Sequence, residues 1–313
     1  MPLSPAVAVI DIGSNSIKLL VAVRGPDGGL SALQHRTLDV RISAGLGRTA
    51  PALSESGMER GLAAVQTLLA DAAAFAPART VLVATSAVRD AGNGALFCAR
   101  LRAATGQTVR ILSGDEEARL IGRGLNCDPA LRALADFYVF DLGGGSLECL
   151  AFSGRAIAQA ASLPLGCVRL METFVADPDG PFVAAAATAI AAHVAAVVGT
   201  AGFSFSLPAG VPAIGTGGTL TTVRMVLAAR AGRSLEQTDP RLALGELRGL
   251  LAGLGARSLA ERRRVPGLPP ARADVFPTAL ATVIALAEIG GFDGYLNSLY
   301  NLRWGLAAEA LAG

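Results

Sequence analysis

A ten-residue segment of this chain occurs twice, 130 residues apart. Val139-Phe-Asp141-Leu-Gly143-Gly144-Gly145-Ser146-Leu-Glu148 aligns without a gap on Val9-Ile-Asp11-Ile-Gly13-Ser14-Asn15-Ser16-Ile-Lys18. Each copy is an apolar strand ending in aspartate, a tight turn of small residues, and a second apolar strand. The same shift lays Val211–Gly215 over Val81–Thr85. Two correspondences at one offset indicate an internal duplication of an α/β unit. At 313 residues the chain has room for two such units, each with its own core.

The pattern around the first copy reads strand (7–11), turn, strand (17–23), a Gly-Pro-Asp-Gly-Gly turn, and strand (30–42). A helix over 55–75 follows, with Ser56 and Glu59 at capping-box spacing. Next come a strand (80–85), a helix near 94–104, a strand (108–112) and a helix from Gly114. Three hairpin-linked strands followed by alternating helix and strand predict a mixed sheet with helices on its faces. The expected domains are 1–127 and 134–313, joined near 126–135, where Asp128-Pro129 supplies turn chemistry. A C-terminal helix near 298–313 is a candidate to pack back on the first domain.

With 52% hydrophobic and 17% charged residues the chain is not of disordered or collagen-like composition. A net charge of +2 gives no reason to expect a nucleic-acid polymer or a membrane as partner. Lys18 is the sole lysine; arginine, which grips phosphate oxygens in pairs, carries the rest of the positive charge. Four cysteines without a C-x-x-C spacing read as reduced thiols of a cytoplasmic protein. Two histidines, His35 and His193, cannot build a histidine-rich metal site, so carboxylates must supply acid–base chemistry. The first apolar run reaches Asp11 at once and is not a signal peptide. The uncharged stretch 182–203 is long enough to span a bilayer but is mostly alanine, and reads as a buried helix.

An aspartate at the end of a buried strand stands where α/β sheets bind ligands. Small residues after it let backbone N–H groups approach phosphate oxygens. Gly13, Ser14 and Asn15 in the first copy, and Gly143, Gly144, Gly145 and Ser146 in the second, are therefore candidate phosphate binders, with Asp11 and Asp141 beside them. Gly215-Thr-Gly217-Gly218-Thr219 is a third small-residue turn, entering a helix whose N–H groups attract anions. It is neither the dinucleotide fingerprint nor a Walker A loop. Ser113 and Glu116 stand at capping-box spacing, which occupies Glu116 and leaves Glu117 as an acid in the first turn. Arg89 follows a buried strand and is a candidate phosphate ligand. Arg169 is open to either reading, and the run 261–264 reads as a solvated helix end.

These motifs, in order, resemble the exopolyphosphatase/guanosine pentaphosphate phosphohydrolase (Ppx/GppA) family. They are Asp11–Ser16, Thr85-Ser-Ala-Val-Arg89-Asp-Ala-Gly-Asn93, Ser113-Gly-Asp-Glu-Glu117-Ala-Arg-Leu120, Asp141–Glu148, Leu163-Pro-Leu-Gly-Cys-Val-Arg169, Gly215–Thr219 and Arg272-Ala-Asp274. The resemblance implies two duplicated ribonuclease-H-like domains of the actin-like ATPase/sugar-kinase superfamily, an α/β fold with a cleft between them. It implies Mg²⁺-dependent release of terminal phosphate from polyphosphate or from guanosine pentaphosphate. By resemblance Glu117 is the general base, Arg89 contacts phosphate, and Asp141 and Glu148 serve metal and water. Longer members add helical domains beyond this chain's end, so a short form is expected. Asn301-Leu-Arg303-Trp304-Gly305 departs from the family's Gly-x-Arg-Glu-Gly-like segment, and Ala279 replaces a common glycine.

The function expected is therefore an exopolyphosphatase with Glu117, Arg89, Asp141 and Glu148 in its catalytic set and Mg²⁺ as cofactor. Guanosine pentaphosphate is the alternative substrate, and a homodimer is a candidate assembly. An actin-fold kinase shares the fold, and a non-catalytic phosphate or nucleotide sensor would share the loops. The acid at position 117 argues against the kinase and the full acidic set against the sensor.

Overall fold

Every residue of Val7–Ile12 is buried, as suits a strand covered on both faces of its sheet. A computed structural model describes residues 5–46 and 50–312 and separates them into two units. One comprises the described residues of Met1–Leu131 with Tyr300–Gly313, the other Arg132–Leu299.

In unit 1, β1 (Val7–Ile12), β2 (Ser16–Arg24) and β3 (Leu30–Asp39) are consecutive antiparallel neighbours. After α1 (Glu55–Ala73), β4 (Arg79–Ala84) lies parallel to β1. Then α2 (Ser86–Asp90) and α3 (Gly94–Thr105) lead to β5 (Val109–Ile111), parallel to β4, and on to α4 (Gly114–Leu125). The sheet order is β3-β2-β1-β4-β5. Unit 2 repeats the plan. It runs β6 (Phe137–Leu142), β7 (Leu147–Ser153), β8 (Ala156–Leu163), α5 (Cys167–Phe174) and α6 (Ala184–Thr200). It continues with β9 (Ala213–Thr216), α7 (Gly217–Arg230), β10 (Arg241–Ala243), α8 (Leu244–Gly255), α9 (Leu259–Arg262), α10 (Phe276–Gly290) and β11 (Gly294–Asn297). Its order β8-β7-β6-β9-β11 matches that of unit 1, with β10 added antiparallel at the β11 edge. The last helix, α11 (Leu302–Ala310), belongs to unit 1; Gly313, the end of the expected 298–313 segment, lies outside the described residues.

The duplication extends to backbone detail. Gly13 N–H donates to Ser16 O at 3.2 Å, and Gly143 N–H to Ser146 O at 3.0 Å. The β2–β3 register slips between Val21 and Ala22, and the β7–β8 register slips at the equivalent Ala151 and Phe152. The fourth strands do not keep the hairpins' offset, however. Val9 faces Val81 while Val139 faces Ile214, so Ile214 rather than Val211 is the counterpart of Val81. Segments before these strands differ in length, as surface connections tolerate.

Four further readings are corrected. Ser54, not Ser56, caps α1, its hydroxyl accepting from Gly57 N–H at 3.1 Å. The Thr85–Asp90 stretch contains a short extra helix, α2. In α6 only Ala186, Ile190, Val194 and Val198 are buried, one stripe at i, i+4 spacing on an otherwise outward-facing helix. Arg262 is no solvated helix end: it is 2% exposed and donates to Pro178 O at 2.6 Å and Gly180 O at 3.2 Å, pinning that loop to α9. Among the described residues no helix is long and apolar enough to cross a membrane.

The cores follow from strand alternation. In unit 1, Ile10, Ile12, Ile17, Leu19 and Val21 meet Val65 and Leu68 of α1 and Phe97 of α3. In unit 2, α10 buries every residue from Phe276 to Ala287, and its apolar side chains, such as Phe276, Leu280 and Leu286, share one cluster with Tyr138 and Phe140 of β6. On unit 1, Trp304 is 5% exposed and packs against Tyr300, the rings tilted by 31° with centroids 4.3 Å apart. The departure at this position is thus taken up by packing.

Helices α4 and α11 touch backbone to backbone. A Cβ added at Gly305 would lie 1.9 Å from Leu120 O, and one at Gly124 would lie 2.0 Å from Asn301 O. Glu309 of α11 ties the crossing to Arg110 at 3.3 Å and Arg123 at 3.1 Å. Since α4 carries Glu117, this seam sets where that acid stands. Gly305→Ala is expected to cost about 1–3 kcal/mol or more through overpacking. At roughly 2–4 °C per kcal/mol for a chain of this size, thermal unfolding should reveal it as a lower midpoint.

Candidate active site

Parallel strands release their loops at one sheet edge. In unit 1, β1, β4 and β5 run the same way, so the Gly13–Asn15 turn, α2 and the start of α4 all lie at their carboxyl ends. Thr85 N–H donates to Ile12 O at 3.2 Å and Leu112 N–H to Ala84 O at 2.9 Å, which keeps the three exits in step. Ser14 and Ser86 share a buried hydroxyl contact of 3.0 Å, joining the hairpin turn to α2. Ser86 was not singled out in the sequence; only its place one residue past a strand hints at it.

The capping box forms as expected. Glu116 N–H donates to Ser113 Oγ at 3.2 Å, and Ser113 N–H donates to Glu116 Oε2 at 2.8 Å. The bond from Ser113 N–H, then that from Arg110, holds the Glu116 carboxyl below the usual carboxylate range. Glu116 is thereby committed, and its neighbour turns inward: the Glu117 side chain is only 8% exposed. Arg89 Nη1 donates to Glu117 Oε2 at 2.9 Å and to Leu112 O at 3.1 Å, while Arg89 Nε lies 3.5 Å from Asp90. The arginine expected on phosphate here holds the candidate base.

The first hairpin pairs Asp11 with Lys18 across the β1–β2 ladder, Nζ to Oδ2 at 3.8 Å. The equivalent pair in unit 2 is Asp141 with Glu148. One copy therefore pairs an acid with an ammonium, while the other places two acids at the same ladder position. Glu148 is 2% exposed and accepts from Ser162 Oγ at 2.8 Å. Carboxylates on cross-strand partners suit a hard cation such as Mg²⁺, which uses one or two carboxylates and keeps much of its water. Among the described residues no cluster of three His, Cys, Asp or Glu side chains forms a closed metal cage.

In unit 2 the loops again leave the carboxyl ends of parallel strands, β6, β9 and β11. Carbonyls of the Gly143–Gly145 turn are taken from behind: Cys167 N–H donates to Gly143 O and Val168 N–H to Gly144 O, both at 2.9 Å. At the start of α7, Gly217 has φ +77°, and a Cβ there would lie 2.0 Å from Asp141 Oδ1. A Cβ at Gly218 would lie 1.9 Å from Arg272 Nη1. The positive end of α7 thus meets Asp141 on one side and the Arg272 guanidinium on the other. Arg272 stood in a recognised motif without a role; no spacing in the sequence ties it to Gly218. Gly215 lies within β9, its carbonyl accepting from Ser298 N–H at 3.0 Å and Asn297 Nδ2 at 3.1 Å. Thr219 is fully buried and donates to Leu142 O at 3.1 Å. It therefore joins α7 to the second hairpin. Of the expected residues, Asp11, Gly13, Ser14, Asn15, Arg89 and Glu117 lie in unit 1, and the rest in unit 2.

A protein-family model, the Ppx/GppA phosphatase family, matches residues 21–311. Among solved structures, the PPX-GPPA enzyme of Aquifex aeolicus is 25% identical, with 97% of this chain and 99% of that chain covered and a TM-score of 0.76. An exopolyphosphatase from Cytophaga hutchinsonii is 23% identical with a TM-score of 0.87, 98% of each chain being covered. An exopolyphosphatase-like protein is 24% identical with a TM-score of 0.86, covering 98% of this chain and 97% of that one. With its two copies of one five-strand order, the fold is a duplicated α/β plan. The chain belongs to the Ppx/GppA phosphatase family and is a phosphoanhydride hydrolase.

Proposed function

We propose that this protein removes the terminal phosphate of inorganic polyphosphate, releasing orthophosphate, with Glu117 as general base. The observation carrying this reading is the division of labour between two adjacent acids: the cap engages Glu116, and the buried Glu117 is oriented by Arg89. The small-residue turns, the start of α7 and Arg272 all offer donors or positive charge that suit phosphate oxygens. Phosphate is the whole of a polyphosphate chain and only part of guanosine pentaphosphate, which favours the former.

Phosphoryl transfer passes through a loose transition state, so positioning and charge neutralisation dominate. Glu117 orients a water and takes its proton as the water attacks the terminal phosphorus. The donors to phosphate oxygens are the backbone N–H groups of Ser14 and Asn15 in unit 1 and of Gly144–Ser146 and Gly217–Thr219 in unit 2. Those of Gly13 and Gly143 are taken by Ser16 O and Ser146 O, and Arg272 adds positive charge at Gly218. Asp141 and Glu148 would hold Mg²⁺, which when bound neutralises charge on the phosphoryl oxygens.

A general base contributes ~10²–10⁴-fold. Glu117→Gln should therefore lower kcat by about that factor at nearly unchanged KM; near-normal turnover would remove Glu117 from the role. Phosphate release from short and long polyphosphate, guanosine pentaphosphate and ATP should rank polyphosphate first. A clear preference for guanosine pentaphosphate would move the protein to that activity. EDTA should abolish release and added Mg²⁺ restore it, whereas full activity in EDTA would end the metal assignment.

A further inference from the structure

In both units an arginine from the segment after the third strand fastens the same position of the duplicated turn. Arg41, two residues beyond β3, donates from Nε to Asn15 Oδ1 at 3.0 Å. Arg169, in α5, donates from Nε to Gly145 O at 3.0 Å. Asn15 and Gly145 are equivalent in the repeat. The backbone N–H of each arginine also reaches a turn carbonyl, at neighbouring rather than equivalent positions. Arg41 N–H donates to Asn15 O at 2.9 Å and Ser43 N–H to Ser14 O at 3.3 Å, while Arg169 N–H donates to Gly144 O at 3.3 Å. The local sequences share a trace of this, Val40-Arg41-Ile42 against Val168-Arg169-Leu170.

Arg41 holds its place in a disfavoured backbone state, with φ +42°, left-handed for a residue that is not glycine. Such strain persists where the surroundings over-determine it, and it gathers at ligand sites. Its effect on Asn15 is specific. A guanidinium only donates, so the amide oxygen must face it and Nδ2 must point away. That Nδ2 is buried in a side chain 7% exposed and has no acceptor. A buried donor without an acceptor is a net loss to the fold until an oxygen arrives.

We propose that Arg41 is a phosphate-positioning residue: it orients the Asn15 amide so that Nδ2 donates to a substrate phosphate oxygen, and Arg169 steadies the Gly145 peptide in the same way. This rests on the reading of the two turns as phosphate-binding.

The decisive variant is Arg41→Gly, which keeps the left-handed backbone and removes the guanidinium. Because glycine relieves the strain, the unfolding temperature should hold or rise, whereas an arginine of purely structural value would lower it on removal. The KM for tripolyphosphate should rise about 10-fold or more with kcat within about 3-fold. Arg41→Lys, which retains a donor, should recover part of the loss. An unchanged KM in Arg41→Gly overturns the proposal, as does a lowered unfolding temperature with KM unaffected. If Arg41→Gly does not fold, Arg41→Asn, which tolerates the left-handed region, takes its place. Calorimetric binding of tripolyphosphate separates this idea from the hydrolase reading. Should the wild-type protein bind tripolyphosphate without cleaving it, the hydrolase reading fails, and weaker binding by the variant still sustains the arginine's role. Equal binding by both proteins, or none by the wild type, ends it.

Discussion

Backbone pairing of β1 between β2 and β4 governs everything placed at the edge of unit 1, and β6 between β7 and β9 does the same in unit 2. An antiparallel neighbour on one side makes a tight hairpin, and a parallel neighbour on the other brings a second loop to the same end. A strand in this position must be apolar on both faces, which is why Val7–Ile10 and Phe137–Phe140 are continuous hydrophobic runs. Polar residues begin where each strand emerges, at Asp11 and Asp141. The chemistry is thus confined to one rim by a rule about burial.

Duplication supplied two similar rims, and single substitutions within them made the two unlike. Opposite Asp11 the ladder places Lys18, the chain's sole lysine; opposite Asp141 it places Glu148. An acid beside an ammonium is balanced within the protein. Two acids at one ladder position concentrate negative charge there. The turns differ in the same spirit, Ser-Asn in the first and Gly-Gly in the second. At these two positions side-chain donors are available in the first turn and only peptide donors in the second.

How much of this the sequence shows follows from how local each feature is. The hairpins and the Ser113–Glu116 cap depend on residues close together in the chain, and spacing reveals them; it shows Glu117 only as an uncommitted acid in the first turn of α4. The cap of α1 was misplaced by two residues because Ser54 and Ser56 are chemically alike, and only the helix start distinguishes them. Contacts across long separations left no trace in spacing. Arg272 over Gly218, Ser86 on Ser14 and Arg41 on Asn15 depend on where loops land. Arg262 reads as one more charge in an arginine run, yet it is buried among carbonyls. Arg89 was recognised as important from its motif, but its partner in the structure is a carboxylate.

The position of α11 has a consequence for biosynthesis. Residues 302–310 complete unit 1 but leave the ribosome only after the whole of unit 2. At 5–20 residues per second, α4 waits on the order of ten seconds or more for the helix that grips it. During that interval Gly124 and the surrounding face of α4 have no cover, while unit 2, uninterrupted in the chain, can already fold. The helix bearing Glu117 is thus locked only after all of unit 2 has been made, so a nascent chain cannot present a finished active centre before residues 302–310 have emerged.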